Sequence, residues 1–407
     1  MEKKWITEKD IEAYPQITFT EAQSALRDCI GRVVMNLKAL GDTFPGPASV
    51  NGIYQGGRNL GWTTGFYTGQ AWLAWENARD ASEKDFLYQA ALSQVSSFLR
   101  RIEQLEDVDH HDMGFLYSPS CVAAWKLVQS EEGRRAALLA ADQLIRRFQE
   151  KGEFLQAWGE MGAKDNYRFI VDCLLNLPLL YWASEESGDG KYRNIAEKHI
   201  HTAMTYVIRE DGSAWHTVFM SPQTGAFDHG STCQGYKDGS AWARGQAWAV
   251  YGTAVAYRYT HQEKYFGYFK KVTSYFLNHL PEDLCPFWDL TFGDGDEGCE
   301  PRDSSSAVIA ACGLLEMSRY LPEAEAGYYA GIARRLMKAV SGKYQTAAAK
   351  QTDRPAATGH LLHGTYSKKT PFNTCTQEGV DECLLWGDYF FMEGLQRILT
   401  PKWEIYW

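Results

Sequence analysis

"AWARGQAWAVYGTAVAYRY", residues 241–259, is small or apolar on nearly every side, and its only charges, Arg244 and Arg258, sit near its ends. A helix with that pattern belongs in an interior. The run that follows, "KYFGYFKKVTSYFLNHL" at 264–280, sets lysines among aromatics at helical spacing. That pattern gives a helix one wet face and one dry face.

The same pairing recurs along the chain. Amphipathic runs occupy 21–40, 91–102, 132–148, 191–208, 264–280 and 325–340. Small, apolar runs occupy 65–78, 114–127, 172–187, 241–259, 303–320 and 386–398. Six of each alternate strictly, with a repeat of roughly 50 to 80 residues. The simplest architecture is all-α: an (α/α)6 barrel, a toroid of six hairpins with six inner helices ringed by six outer ones. No Pro/Gly/Ser-rich linker interrupts the pattern, so residues 1–407 are expected to form a single domain. Each inner helix follows an outer helix running the other way, which makes the inner helices parallel and gathers their N-termini at one end. The longest non-helical stretches, near 42–65, 211–240, 281–302 and 347–385, precede inner helices and collect at that end. Long loops on a compact scaffold are where sites are built, and helix N-termini favour anions.

Composition narrows the function. The formal net charge is −10, which argues against a nucleic-acid partner and requires local positive groups for any anionic ligand. Nine scattered cysteines without a CxxC pair read as reduced thiols, and with no apolar leader or spanning stretch the expected location is cytoplasmic, away from membranes. Aromatics reach 14%, as in proteins that stack rings on ligands and in large helical cores alike.

Several inner runs begin near an acid: Asp112, Asp172, Asp303 and Asp388, with Asp238 a little before the fourth. For any one of them, N-capping is the plain expectation. Two carboxylates facing a sugar are the usual apparatus of glycoside cleavage, but spacing does not select the pair. Asp172 has the more telling setting, between "FIV" and "CLLNLPLLYW", where an apolar environment hinders ionisation. Pro178 blurs the helix boundary just after it. In "VDHHDMGFLY", 108–117, the adjacent His110 and His111 would point about 100° apart on a helix. Zinc motifs on helices use i, i+4 spacing instead. No metal and no cofactor are therefore expected, with one His facing the pocket and the other structural. His216, Gln234, Arg244, Trp62, Trp242 and Trp248 are the remaining polar and aromatic candidates. Tryptophans at such positions are more often core. An Arg within a buried helix needs a partner, which a ligand carboxylate would supply.

Taken together, "GWTTGFYTGQAWLAWE" (61–76), "VDHHDMGFLY", "DCLLNLPLL" (172–180), "SAWARGQAWAVYG" (240–252), "RDSSS" (302–306) and "WGDYFFMEGL" (386–395) resemble the unsaturated glucuronyl hydrolases of glycoside hydrolase family 88. The resemblance runs from "FPGPASVNGIY" (44–54) to "WEIYW" (403–407). It implies the (α/α)6 barrel and metal-free removal of a 4,5-unsaturated uronic acid from lyase-generated oligosaccharides. It also implies Asp172 as general acid/base, Asp112 as second carboxylate, and His111, Trp62, His216, Gln234, Arg244 and Trp248 as substrate contacts. Members acting on sulfated glycosaminoglycans carry a Ser/Lys loop before "GVDE". Here "YSKKTPFNTCTQEGVDE" (366–382) is longer, and Ser367, Lys368 and Lys369 are its candidate sulfate ligands. Rival readings are an unsaturated rhamnogalacturonyl hydrolase on pectin fragments, an inverting glycosidase, and a non-catalytic sugar-binding toroid. A monomer or homodimer is expected.

Overall fold

The computed structural model describes residues 4–347 and 356–407. Residues 348–355, inside the last of the expected long loops, lie outside them. The chain is a helical toroid. The outer helices are α1 (Phe19–Leu40), α3 (Ala81–Glu103), α6 (Glu131–Ile145), α9 (Gly190–Val207), α11 (Glu263–Leu277) and α13 (Glu323–Lys343). Their sequences explain their starts: Thr18 and Glu21 form a capping box on α1, and Asp80, Ser130 and Asp189 cap α3, α6 and α9. Such caps satisfy N–H groups that have no partner within the helix.

The inner ring alternates with them: α2 (Thr64–Glu76), α4–α5 (Met113–Tyr117 and Ala123–Val128), α7–α8 (Cys173–Asn176 and Pro178–Ser187), α10 (Ala243–Thr260), α12 (Ser304–Ser318) and α14 (Leu385–Leu399). Each inner element packs on the next, and α14 packs on α2, closing the ring. Two inner helices are not continuous. Pro119 lies in a π-helical turn, Ser118–Val122, between α4 and α5, and Pro178 divides α7 from α8. Proline removes one N–H from the helical ladder, and the chain responds by widening or breaking the turn. The axis of the ring is filled by Phe66, Phe115, Trp248, Phe390 and Trp407, and the last two are stacked 5.7 Å apart.

Connections differ between the two ends. Inner-to-outer links are short, such as 77–80, 129–130 and 188–189. Outer-to-inner links are long and carry small antiparallel sheets, among them Arg168–Ile170 paired with Thr217–Met220, and Gly364–Ser367 paired with Glu378–Glu382. One long link, 146–172, was not among the four expected from sequence. No helix of the described residues is long and apolar enough to cross a membrane.

The ring is tight. A Cβ on Gly114 of α4 would lie 2.3 Å from Asn176 Cα. Gly114→Ala is expected to destabilise by about 3 kcal/mol, as overpacking of a core does. Gly31→Ala on the exposed face of α1, where a Cβ meets nothing within 4 Å, is expected to stabilise by about 0.5–1 kcal/mol through helix propensity. Urea melts of both variants check this. Equal effects would sink the close-approach account.

Candidate active site

At the N-terminal end of the inner helices lies a cavity of about 350 Å³, lined in part by Trp62, Asp112, Asp172, His216, Gln234 and Arg244. Trp242, Trp248 and Ser367 also line it, so nine of the candidates from sequence meet there. His111 sits directly behind, its Nε2 3.4 Å from Asp112 Oδ1 and 3.7 Å from Asp172 Oδ1. Lys368 does not line the cavity. Its ammonium is 2.6 Å from Glu300 Oε2 and lies over the Trp288 ring. Lys369 donates to the Asn373 carbonyl at 2.7 Å. A carboxylate of the same chain thus holds the first lysine and a loop carbonyl the second.

The acids differ in what their side chains do. Asp112 and Asp172 occupy N-cap positions, yet neither side chain caps its helix. Only Asp303 caps, accepting from Ser305 N. Asp388 accepts from Tyr54 Oη and from the His360 and Leu361 N–H groups, and Asp238 from Ser231 and Thr232. These three brace structure outside the cavity. Asp303 also corrects the expectation for Arg244, whose guanidinium ends 3.1 Å from Asp303 Oδ2 and donates to the Thr365 and Tyr366 carbonyls. The buried Arg therefore has a partner within the chain, and it also lines the cavity.

The two site carboxyls lie in different surroundings. Burial drives Asp172 well above the ordinary carboxylate range, and neighbouring Asp112 pushes it further. Its Oδ1 has no hydrogen-bond partner. Burial raises Asp112 too, but His111, His110 and the Asn176 amide outweigh it and hold that carboxyl low. A carboxyl pair pushed apart in this way supplies one proton donor and one anion at the same pH. Burial lowers His111 to about 4. His110 contacts Asp107 O and Asp112, so both histidines touch Asp112 and His111 also approaches Asp172.

A polar relay fixes the opposite wall. Burial lowers His216 to about 3, so it is neutral near pH 7. Its Nδ1 accepts from Thr217 Oγ1 and Cys233 N, which leaves Nε2–H to donate to Gln234 Oε1. Gln234 donates in turn to the Tyr366 carbonyl, and the Trp62 indole donates to Tyr366 Oη. Tyr366, Trp158 and Cys233 line the cavity but were not singled out as site residues from sequence. Tyr366 stands inside the stretch read for its serine and lysines, and Trp158 comes from the unforeseen 146–172 link. His111, Asp112 and Asp172 offer ligand atoms within 4.8 Å of one another, a trio that could chelate a cation if both acids were ionised.

The sequence from 48 to 387 matches the family model for Glycosyl Hydrolase Family 88. The chain belongs to that family. It is a glycoside hydrolase, 43% identical to the unsaturated chondroitin disaccharide hydrolase of Streptococcus pneumoniae over 97% of this chain and 95% of that one. The crystal structure of unsaturated glucuronyl hydrolase from Streptococcus agalactiae superposes with a TM-score of 0.91 at 40% identity, covering 100% and 98% of the two chains. A variant of that enzyme complexed with dGlcA-GalNAc6S gives a TM-score of 0.83 at 36% identity, with the same coverage.

Asp172 also sets a pH dependence of stability. With its pKa raised in the fold, the folded protein keeps a proton that the unfolded chain releases. Stability is then complete below the ordinary Asp value of about 4 and is lost as pH rises towards the folded value. Asp172→Asn removes the effect. The variant is expected to be more stable than the parent at pH 8, with the gap closing towards pH 4. Urea melts at both pH values check this, and a gap that does not change with pH would refute the assignment.

Proposed function

We propose that the enzyme removes the 4,5-unsaturated uronic acid from the non-reducing end of lyase-generated oligosaccharides, glycosaminoglycan fragments foremost, by hydrating the vinyl ether. The observation that carries this reading is the Asp112–Asp172 pair at the floor of the cavity, one acid held neutral and the other ionised. The named relatives act on unsaturated chondroitin disaccharides or glucuronides, which fits the same substrate class.

The chemistry follows from that pair. Protonated Asp172 delivers its proton to C4, and positive charge spreads over C5 and the ring oxygen. Ionised Asp112 stabilises that charge in a site largely shielded from water. Asp172, now a carboxylate, takes a proton from the water that attacks C5. The resulting hemiketal opens to a ketone, the C5–ring oxygen bond breaks, and the sugar at C1 leaves as an alcohol. One water is consumed, and no bond to the leaving sugar is attacked directly. Trp62 and Trp248 offer ring faces, while His216, Gln234 and Ser367 shape the wall.

Asp172→Asn is expected to keep its fold and lose at least about 10²-fold in kcat, because the amide has no proton to give. Loss of the double-bond absorbance on an unsaturated disaccharide reports the rate. A variant retaining more than about a tenth of the parent rate would overturn the role. Treatment with chelator is expected to leave activity intact, since this route needs both a neutral Asp172 and no cation between the acids. Activity lost to chelator and restored by a divalent ion would favour chelation by His111, Asp112 and Asp172 instead.

A further inference from the structure

The amide of Asn176 stands between the two acids and treats them differently. Asn176 is the last residue of α7, buried where α7 meets Gly114 of α4. Its neighbours fix which way the amide points. Phe115 N–H can only donate, and its nitrogen lies 2.8 Å from Oδ1. The Asp172 carbonyl can only accept, and its oxygen lies 3.3 Å from Nδ2. An amide nitrogen carries two hydrogens. One goes to the Asp172 carbonyl, and the other is directed to the Asp112 carboxyl. The Asp172 carboxyl takes neither, and its Oδ1 has no partner.

The histidines cannot make this distinction while they are neutral. Burial lowers His111 to about 4, so it is uncharged near pH 7, and neither of its nitrogens has a hydrogen-bond partner. The His110 ring donates through Nε2 to the Asp107 carbonyl and accepts the Asp112 N–H at Nδ1. In that tautomer no hydrogen remains for the Asp112 carboxyl. Other elements also face the pair: Arg101 of α3 and Tyr366 of the Gly364–Ser367 strand act on Asp112, and Arg244 of α10 acts on Asp172. Burial keeps Cys173, next to Asp172, a neutral thiol. Arg244 favours a charged Asp172, which is the acid that must keep its proton. The Asn176 amide favours a charged Asp112 and so opposes it.

We propose that Asn176 is a positioning residue that decides which of the paired acids holds the proton, by donating to the carboxyl of Asp112 but only to the backbone of Asp172. This rests on the function proposed above. Two neighbouring carboxyls titrate as a pair, and the one that receives a hydrogen bond is the one that ionises. With the donor removed, the proton is divided between the two acids. Whenever it sits on Asp112, C4 of the substrate faces a carboxylate that has nothing to give.

The test uses Asn176→Ala and Asn176→Asp in the full chain, with urea melts as the check on folding. Asn176→Asp keeps the shape and still accepts from Phe115 N, but it turns the donor into an acceptor. Turnover of an unsaturated disaccharide is followed from pH 5 to pH 8. Asn176→Ala is expected to lose about 10-fold in kcat near pH 7 with KM little changed. Asn176→Asp is expected to lose about 100-fold at pH 8, where the introduced carboxyl is charged. About tenfold of that is expected to return towards pH 5, where the introduced carboxyl holds a proton and donates as the amide did. A second measurement needs no substrate. In resting protein labelled with carbon-13 aspartate, the Asp112 carboxyl, assigned through Asp112→Asn, is expected to titrate about one pH unit higher in Asn176→Ala than in the parent. An Asp112 titration that does not move overturns the proposal. So does an Asn176→Asp loss of the same factor at pH 5 and pH 8, because a packing defect lowers turnover equally at both. If Asn176→Ala fails to fold, Asn176→Asp decides by its pH dependence. The hydrolase reading is tested separately: a parent that cleaves no unsaturated disaccharide fails it, and the Asp112 titration still decides what Asn176 does.

Discussion

Six helices can touch both neighbours around a ring only if each contact is close, and every contact in the inner ring has a glycine at its nearest approach. Gly65 meets the α4 backbone, Gly114 meets Asn176, Gly252 meets Leu174, Gly313 meets Tyr251, Gly387 meets Ser305 and Gly69 meets Tyr389. A methyl group at any of them would press on the adjoining helix. The Gly114–Asn176 contact has the largest chemical consequence. Asp112 stands two residues before Gly114, and Asp172 stands four before Asn176. Drawing α4 against α7 therefore draws the two carboxyls together. Asn176 fastens the junction, accepting from Phe115 N at 2.8 Å and donating to Asp172 O at 3.3 Å.

The ring then sustains an arrangement that would relax if it were free to. Several unpartnered buried polar atoms stand at or just behind the cavity: both nitrogens of His111, Oδ1 of Asp172 and Nε of Arg244. Each is destabilising when left without a partner. A mobile scaffold would turn these groups towards water or towards each other. Here they are fixed by packing, and a substrate or a water can complete them. Charges that need no ligand are paired off within the protein, as Arg244 is with Asp303.

Much of this was readable in the sequence for a physical reason. Inner helices have no wet face, so small and apolar residues run without a polar stripe, and the alternation with amphipathic runs gives the barrel. Asp172 stood out because an acid between "FIV" and "CLL" has nowhere to be solvated. What sequence could not supply was pairing. Whether Arg244 meets Asp303 or a ligand, and whether Lys368 meets Glu300 or a sulfate, depends on residues more than fifty positions away. Capping misled for a related reason: an Asp before a helix reads as a cap whether or not its side chain turns back, and only Asp303 among the inner-helix acids does so. The 146–172 link escaped because strands as short as Phe148–Gln149 and Arg168–Ile170 leave no alternation to detect.

The division between the two ends of the barrel follows from the same packing. At one end short turns and capped helix starts hold the hairpins together. At the other, long links bind chiefly to one another: Asn373 Nδ2 donates to the Gly235 carbonyl, Thr370 Oγ1 to the Tyr236 carbonyl, and Trp242 bridges Asp289. Because those links meet each other over the cavity, a longer loop such as 366–382 can change the mouth without disturbing a glycine contact below. The acids stand on the ring, where their separation is fixed. The residues of the mouth stand on the links, where length and charge are free to vary. The spacing of the two acids is thus set by helix packing, while the outline of the mouth is set by links that the ring does not constrain.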